Sequence, residues 1–426
     1  MTRIEEDAPV VAMDARDWAD IRERQALVYP GGVGRSSGYL GRPAPTLVRG
    51  KGYYVWDAEG SQKVDLSNNF TTLVHGHAHR EVTAAAVRAL ENGACFGLPN
   101  SDEVRHAEVL LERVPWCDYV RYTSTGTEAT MTAVRMARAI SGRDKILGLS
   151  PSYHGMGDAL LSMIGMTAGV PRGVSDDVLL VAPDDRHALV EAFAQHGDTI
   201  AAVVLDLMPM SAGGRPLSPA FVASVASLAQ QHGALLVVDE VISFRLAVQG
   251  FANAVYGLLP DLLVTGKAIG GGLPIGAILG RRDVMGILDS SKPRSIFHGG
   301  TFTGNPVTMS AGYAAMKLFQ VDEVGRLNAL GERLRNGLSK TGEPFGWTAN
   351  GYGSVVRLEP RSQEPDERLR QLFWIAFEEG VALAPSGTLC VSTPMDDTVI
   401  DSLVERMSRC FHRLGSSPES TDGLGE

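Results

Sequence analysis

Cysteine is scarce in this sequence. Cys95, Cys117, Cys390 and Cys410 are scattered through 426 residues and form no Cys-x-x-Cys pair. That argues against a disulfide framework or a structural zinc site, and makes a reducing cytoplasm the expected compartment. Positive charge is not in excess either: 39 Lys and Arg face 49 Asp and Glu, a net charge of −10. Such a balance points away from nucleic acid and from anionic membrane surfaces as partners. No apolar run approaches the length of a membrane span. The opening MTRIEEDAPVV is acidic and lacks the basic and apolar regions of a secretion signal. What remains, 44% hydrophobic and 21% charged residues, is ordinary for a globular chain long enough to bury large cores.

The pattern changes along the chain. Residues 1–75 are mixed, with a Gly/Ser-rich PGGVGRSSG and a strand–turn–strand pattern, GYYVWDAEGSQKVDL, turning at Asp57–Gly60. EVTAAAVRALENG predicts a helix ending at Gly93, and YVRYT a strand followed by the helix TGTEATMTAVRMARAISG. KILGL, VLLVA, AAVVLDL, ALLVVDE and LLVTG are short, nearly continuous apolar runs, as expected of parallel strands covered on both faces. The segments between them are long enough for crossover helices. The reading is α/β with a mostly parallel sheet over 76–315. A smaller α+β unit is expected over 316–415, with helices near 306–319, 323–340 and 365–378 and strands at VVRLE and VALAP. The polar tail, 416–426, is expected to be disordered. No internal repeat is visible.

The segment LLVTGKAIGGGLPIGA, residues 262–277, sets a lysine between an apolar run and three glycines. A nucleotide phosphate loop does not fit, because Asp261 stands where glycine is required and Ala268 where Ser or Thr is required. The dinucleotide pattern fails at Ile275. Alone, Lys267 reads as a turn residue reaching solvent. Three other places give it company. Asp239 ends the run ALLVVDEV; it is either a loop cap or the partner of a cationic group in the crevice at the carboxyl ends of the strands. Thr125 and Glu128 fit a capping box, and the same helix start offers free N–H groups around Gly126 and Thr127 to a phosphate. In PSYHG, Tyr153 or His154 either packs at the rim or stacks on a flat ring. A lysine nucleophile, a carboxylate for a pyridinium nitrogen, a phosphate-binding helix start and a stacking aromatic together form a pyridoxal phosphate site.

With PGGVGRS, STGTEATMTAVRMAR, SYHG, VVDEV, TGKAIGGGLPIGA and HGGTFTGNP in this order, the chain resembles the class III aminotransferases of fold type I, near the branch of glutamate-1-semialdehyde aminomutases and β-amino-acid aminotransferases. The resemblance implies a fold type I architecture. A mostly parallel seven-stranded sheet flanked by helices is joined to a smaller α+β domain built from the N- and C-terminal segments. It implies pyridoxal 5'-phosphate held as a Schiff base on Lys267, with Asp239 on the ring nitrogen. Val241 and Tyr153 lie on the two ring faces, with His154 close by. Thr125, Gly126 and Thr127 take the phosphate, while Asp206 and Ser211 stand near the ring's phenolic oxygen. Thr301 reaches the phosphate of the neighbouring subunit, so a homodimer with shared sites is implied. Arg35 falls where relatives hold a substrate carboxylate; its other reading is a surface arginine in a flexible loop.

The sequence departs from its relatives at Asp206-Leu207, where Glu-Pro is usual, and in LAPSGTLCVST, which lacks both an acidic signature and an arginine at Ser386. The expected reaction is therefore amino transfer between an amino acid, β- or γ- rather than α-, and a keto acid or aldehyde. Intramolecular 2,1-aminomutation, racemisation, decarboxylation and a non-catalytic binding module remain the alternatives. HGHAH (75–79) reads as a Gly-His turn rather than a metal site, and Arg245 as a brace for the active-site loop.

Overall fold

The apolar runs become neighbouring strands. In the computed structural model, which describes residues 15–41 and 44–415, a seven-stranded sheet has the order Tyr119–Thr123, Gly276–Gly280, Leu262–Gly266, Leu235–Asp239, Ile200–Leu205, Lys145–Leu149, Val178–Val181. Only Gly276–Gly280 runs antiparallel to its neighbours. The other six point the same way and bring their carboxyl ends to one edge. The tail expected to be disordered, 416–426, lies outside the described residues, as do residues 1–14.

The strands are continuously apolar because both faces are covered. Alternate residues divide between two cores. Ala202, Val204, Val237, Val264 and Ile278 pack with Ala129, Ala133 and Met136 of the helix Gly126–Ser141. Val203, Leu205, Leu236, Val238 and Leu263 face the opposite core with Phe221 and Val225 of Pro219–His232.

Two smaller sheets flank this one. Leu47–Lys51, Tyr54–Asp57 and Gln62–Asp65 form an antiparallel set, and Gln62–Asp65 then pairs in parallel with Val381–Ala382 from the far end of the chain. The expected turn is closed by Ser61 N–H donating to Asp57 Oδ1 at 2.7 Å. Trp347–Tyr352, Val355–Pro360 and Thr388–Cys390 make an antiparallel sheet, packed against the helices Val321–Gly342 and Pro365–Glu378.

Several elements were not anticipated from sequence. Asp397–Gly415 is a helix burying Ile400, Leu403, Met407, Cys410, Phe411 and Leu414, a helical spacing present in the sequence. Gly276–Gly280 was hidden by the glycines and proline before it, which read as loop. It is the reversed strand of the mostly parallel sheet that the sequence reading expected.

Candidate active site

Lys267, Asp239, Asp206 and His154 converge at the carboxyl edge of the main sheet. Leu205 pairs with Val238, and Asp239 with Val264. Asp206, Asp239 and Lys267 therefore leave the ends of three adjacent parallel strands, where open α/β sheets place their ligand crevice. His154 arrives from the loop after Lys145–Leu149.

Asp239 is buried, and both of its oxygens are held. His154 Nδ1 donates to Oδ2 at 2.8 Å, and Val241 N–H donates to Oδ1 at 2.9 Å. The far side of the His154 ring is held by Ser152 Oγ, 2.9 Å from Nε2. Ser152 was not anticipated; its only sequence signal is its place one residue before the aromatic pair.

Lys267 follows its strand directly, in the left-handed region with φ 49°. The sequence reading placed the backbone freedom of this turn on the glycines. Gly271 and Gly272 do have φ of 62° and 96°, but the lysine itself adopts a conformation that L-residues avoid. Strain of this kind persists only where the surroundings enforce it, and it concentrates at functional sites. Burial lowers the Lys267 pKa to about 8, against the opposing pull of Asp239 and Asp206. Burial, reinforced by Asp239, raises Asp206 to about 6; His154, the Met208 N–H bonded to Oδ1 at 2.9 Å, and Lys267 act the other way. Glu240, next to Asp239, turns away from the crevice. Its carboxylate accepts the N–H groups of Phe251 and Ala252 at 2.8 and 2.7 Å, capping a helix whose N-cap, Gly250, has no side chain.

The helix Gly126–Ser141 begins beside this cluster. Thr125 is its N-cap, accepting the Glu128 N–H at 3.1 Å. The reciprocal bond of the expected capping box is displaced by one residue: Glu128 Oε2 accepts the Ser124 N–H at 2.7 Å. The first N–H groups of a helix have no intrahelical acceptor, so those of Gly126 and Thr127 are available to an anion. Glycines let the surrounding elements close in. A Cβ on Gly276 would lie 2.1 Å from Thr125 O, and one on Gly126 would lie 3.0 Å from a Val241 methyl. Gly155 packs against Thr127, whose hydroxyl accepts the Met156 N–H at 3.3 Å. The hydroxyl of Thr265, beside the lysine, is buried and has no hydrogen-bond partner among the described residues.

Other predicted residues are more exposed. Tyr153 is half exposed; burial, and then the negative charge of Asp239, raises its pKa. Thr301 is exposed in a loop. Ser211 is exposed in a 3-10 turn, and among the described residues no hydrogen bond joins it to the lysine cluster. The exposed Arg35 places its guanidinium 5.5 Å from the centre of the Phe70 ring. Phe70 belongs to a left-handed run, Asn68–Thr71, with φ between 45° and 75°. Asp65 Oδ1 accepts the N–H groups of Ser67 and Asn68 at its start. The buried Arg245 donates to Thr71 O, Val391 O and Ser354 Oγ, tying that run to the C-terminal sheet. In HGHAH, His77 is bonded to Asp65 and His75 to Ala315 O. Burial lowers the His75 pKa to about 4.

A buried amine whose pKa is lowered to about 8, a clamped carboxylate and an open helix start fit the donor set that a pyridoxal ring and phosphate require. The architecture is that of the fold type I pyridoxal phosphate transferases. A transferase solved with pyridoxal phosphate bound superposes with a TM-score of 0.91 and 33% identity, over 95% of this chain and 99% of its own. The chain belongs to the class III aminotransferases, whose profile it matches over residues 41–411, and its cofactor is pyridoxal 5'-phosphate. It is similar to the glutamate-1-semialdehyde 2,1-aminomutase of Thermomicrobium roseum, with 39% identity over 84% of this chain and 89% of the relative. It is also similar to the β-phenylalanine aminotransferase of Variovorax paradoxus, with 32% identity and a TM-score of 0.85 over 94% of this chain and 96% of the other. Among the described residues no helix is long and apolar enough to cross a membrane.

Proposed function

We propose that the protein is an aminotransferase that moves an amino group between an amino acid carrying it at a β or γ carbon and a keto acid or aldehyde. The observation carrying this reading is the distribution of charge. Asp206 and Asp239 act electrostatically on Lys267, while Arg35 is an exposed cation set against Phe70 in the N-terminal segment. A carboxylate bound by Arg35 is kept clear of both acids when it is separated from the reacting amine. The similarity to a β-phenylalanine aminotransferase supports the same substrate class.

Pyridoxal phosphate supplies an aldehyde that captures the amine and a ring that accepts the electrons of the deprotonated carbon. Lys267 holds the cofactor and, once released by the incoming amine, takes the proton from the amine-bearing carbon and returns it at the cofactor carbon; a pKa near the working pH suits that task. Asp239 keeps the ring nitrogen protonated, steadied by His154. Thr125, Gly126 and Thr127 bind the phosphate. Val241 and Tyr153 flank the ring, and Asp206 and Ser211 stand near its phenolic side. Thr301 serves the partner's phosphate in a cytoplasmic homodimer. The domain division goes with this reading: an N-terminal segment to 75, the cofactor domain over 76–315 and a small domain over 316–415.

The test is a donor screen of α-, β- and γ-amino acids and simple amines, without acceptor, following loss of the cofactor's visible absorbance. β- or γ-amino acids should react best, and Arg35→Ala should raise their KM while sparing simple amines. If simple amines react equally well and Arg35→Ala changes nothing, the substrate class is wrong. The 39% identity to an aminomutase supports a second reading, intramolecular transfer. A transaminase given one substrate stops after one turnover, whereas an aminomutase continues.

A further inference from the structure

Asp206 is a carboxylate whose available partners narrow to one. Its strand, Ile200–Leu205, lies beside Leu235–Asp239, which lies beside Leu262–Gly266, so Asp206 and Lys267 leave the sheet on either side of Asp239. One oxygen, Oδ1, accepts the Met208 N–H; Oδ2 receives no hydrogen bond among the described residues. The charged and titratable groups around Asp206 are Asp239, His154, Lys267, Glu240 and Tyr256. Four of these are already engaged. His154 is bonded to Asp239, Asp239 also to Val241 N–H, Glu240 to the N–H groups of Phe251 and Ala252, and Tyr256 donates to Leu217 O. Lys267 is the one cation of the group not held by another side chain, and among the described residues it takes part in no ion pair.

We propose that Asp206 is a positioning residue whose negative charge retains the proton on the Lys267 nitrogen through which the cofactor is attached. The proposal rests on the reading of Lys267 as the cofactor-bearing lysine. It gives the aspartate a function distinct from a contact at the phenolic oxygen. A protonated nitrogen at that junction is the form an incoming amine attacks, so the charge of Asp206 sets the pH range over which the resting enzyme is ready for substrate. The interaction is mutual: Lys267 favours the ionised form of Asp206, as Asp206 favours the protonated form of Lys267. Asp239 exerts a like pull on the lysine, but it is committed to the ring nitrogen, whose own positive charge offsets it. Asp206 has no such bonded cation: His154, which also favours its ionised form, is bonded to Asp239 instead.

The test is a pH titration of the visible absorbance of the cofactor-loaded enzyme, comparing the wild type with Asp206→Asn and Asp206→Glu. Removing one nearby opposite charge should lower the midpoint by about one pH unit, about a tenfold loss of proton affinity, while the glutamate variant keeps the wild-type midpoint. Asp206→Ser, smaller and also uncharged, reads the same quantity where the amide perturbs folding. An unchanged midpoint in the uncharged variants overturns the proposal, and so does an equal shift in the glutamate variant, which would mark a packing effect. A wild-type enzyme with no visible cofactor band would instead remove the cofactor-bearing role of Lys267.

Discussion

His154 and Asp239, 85 positions apart in sequence, meet through a 2.8 Å hydrogen bond at the carboxyl edge of the sheet. With the Val241 N–H on its other oxygen, Asp239 is fixed from two elements and has little rotational freedom. A carboxylate so held is preorganised, and under the proposed function it keeps the ring nitrogen protonated without reorganising during reaction. Asp239→Asn keeps the shape and removes the charge. It should retain cofactor but lower kcat by about 10²–10³-fold. His154→Ala should cost less, about tenfold, because Val241 still holds one oxygen. Steady-state kinetics with the cofactor content measured in parallel checks both. An asparagine variant with wild-type kcat would show that Asp239 does not serve the ring.

The amine of Lys267 has its own pH signature. An ammonium cannot attack an aldehyde, so cofactor capture needs the neutral form. Burial disfavours the ammonium and lowers its pKa from 10.5 to about 8. Capture of pyridoxal phosphate by the cofactor-free protein should therefore rise with pH through about 8 and level off above it. A rate still climbing toward pH 10.5 would mean that the lysine is solvated. Lys267→Ala should leave no borohydride-reducible cofactor at this position.

The cap of the helix Gly126–Ser141 separates two contributions. Thr125→Ala removes the acceptor for the Glu128 N–H and should lower stability by about 1 kcal/mol. It also removes a hydroxyl beside the proposed phosphate site. The loss of cofactor affinity should therefore exceed that produced by Asn100→Ala, which removes an equivalent cap at the helix Ser101–Arg113. Thermal melting gives the first quantity, and cofactor titration the second. Equal effects of the two substitutions on cofactor affinity would remove Thr125 from the site.

Much of the sheet and the lysine cluster was legible in the sequence, because both follow from local pattern. A strand buried on both faces must be continuously apolar, so its end is visible, and Asp239 and Lys267 stand at such ends. What stayed hidden depends on contacts distant in sequence. Arg245 binds carbonyls of residues 71 and 391, and nothing beside it in sequence reports them. Ser152 matters only because His154 turns toward Asp239. Glu240 sits beside Asp239 in sequence but serves a helix that begins eleven residues later, since alternate side chains at a strand end point to opposite sides. The left-handed turn at Asn68–Thr71 was invisible because it contains no glycine.

Gly276 is the most sharply constrained glycine of the site. It lies on the reversed strand, in register with Thr123 on one side and Gly266 on the other. A Cβ there would lie 2.1 Å from Thr125 O and 2.4 Å from Thr123 Oγ1. The first contact is backbone and belongs to the N-cap of the helix Gly126–Ser141, so relief requires moving the helix start away from the strand. A Cβ on Gly126 would meet Val241 methyls at 3.0 and 3.2 Å, a contact that a small side-chain rotation relieves. Gly276→Ala should therefore destabilise the protein by about 1–3 kcal/mol and weaken cofactor binding at least tenfold. Gly126→Ala should be milder on stability and act mainly on how the cofactor sits against Val241. Melting temperatures with and without pyridoxal phosphate measure both terms. If Gly276→Ala melts like the wild type and gains the same stabilisation from the cofactor, then the close approach of the reversed strand to the helix start does not shape the site.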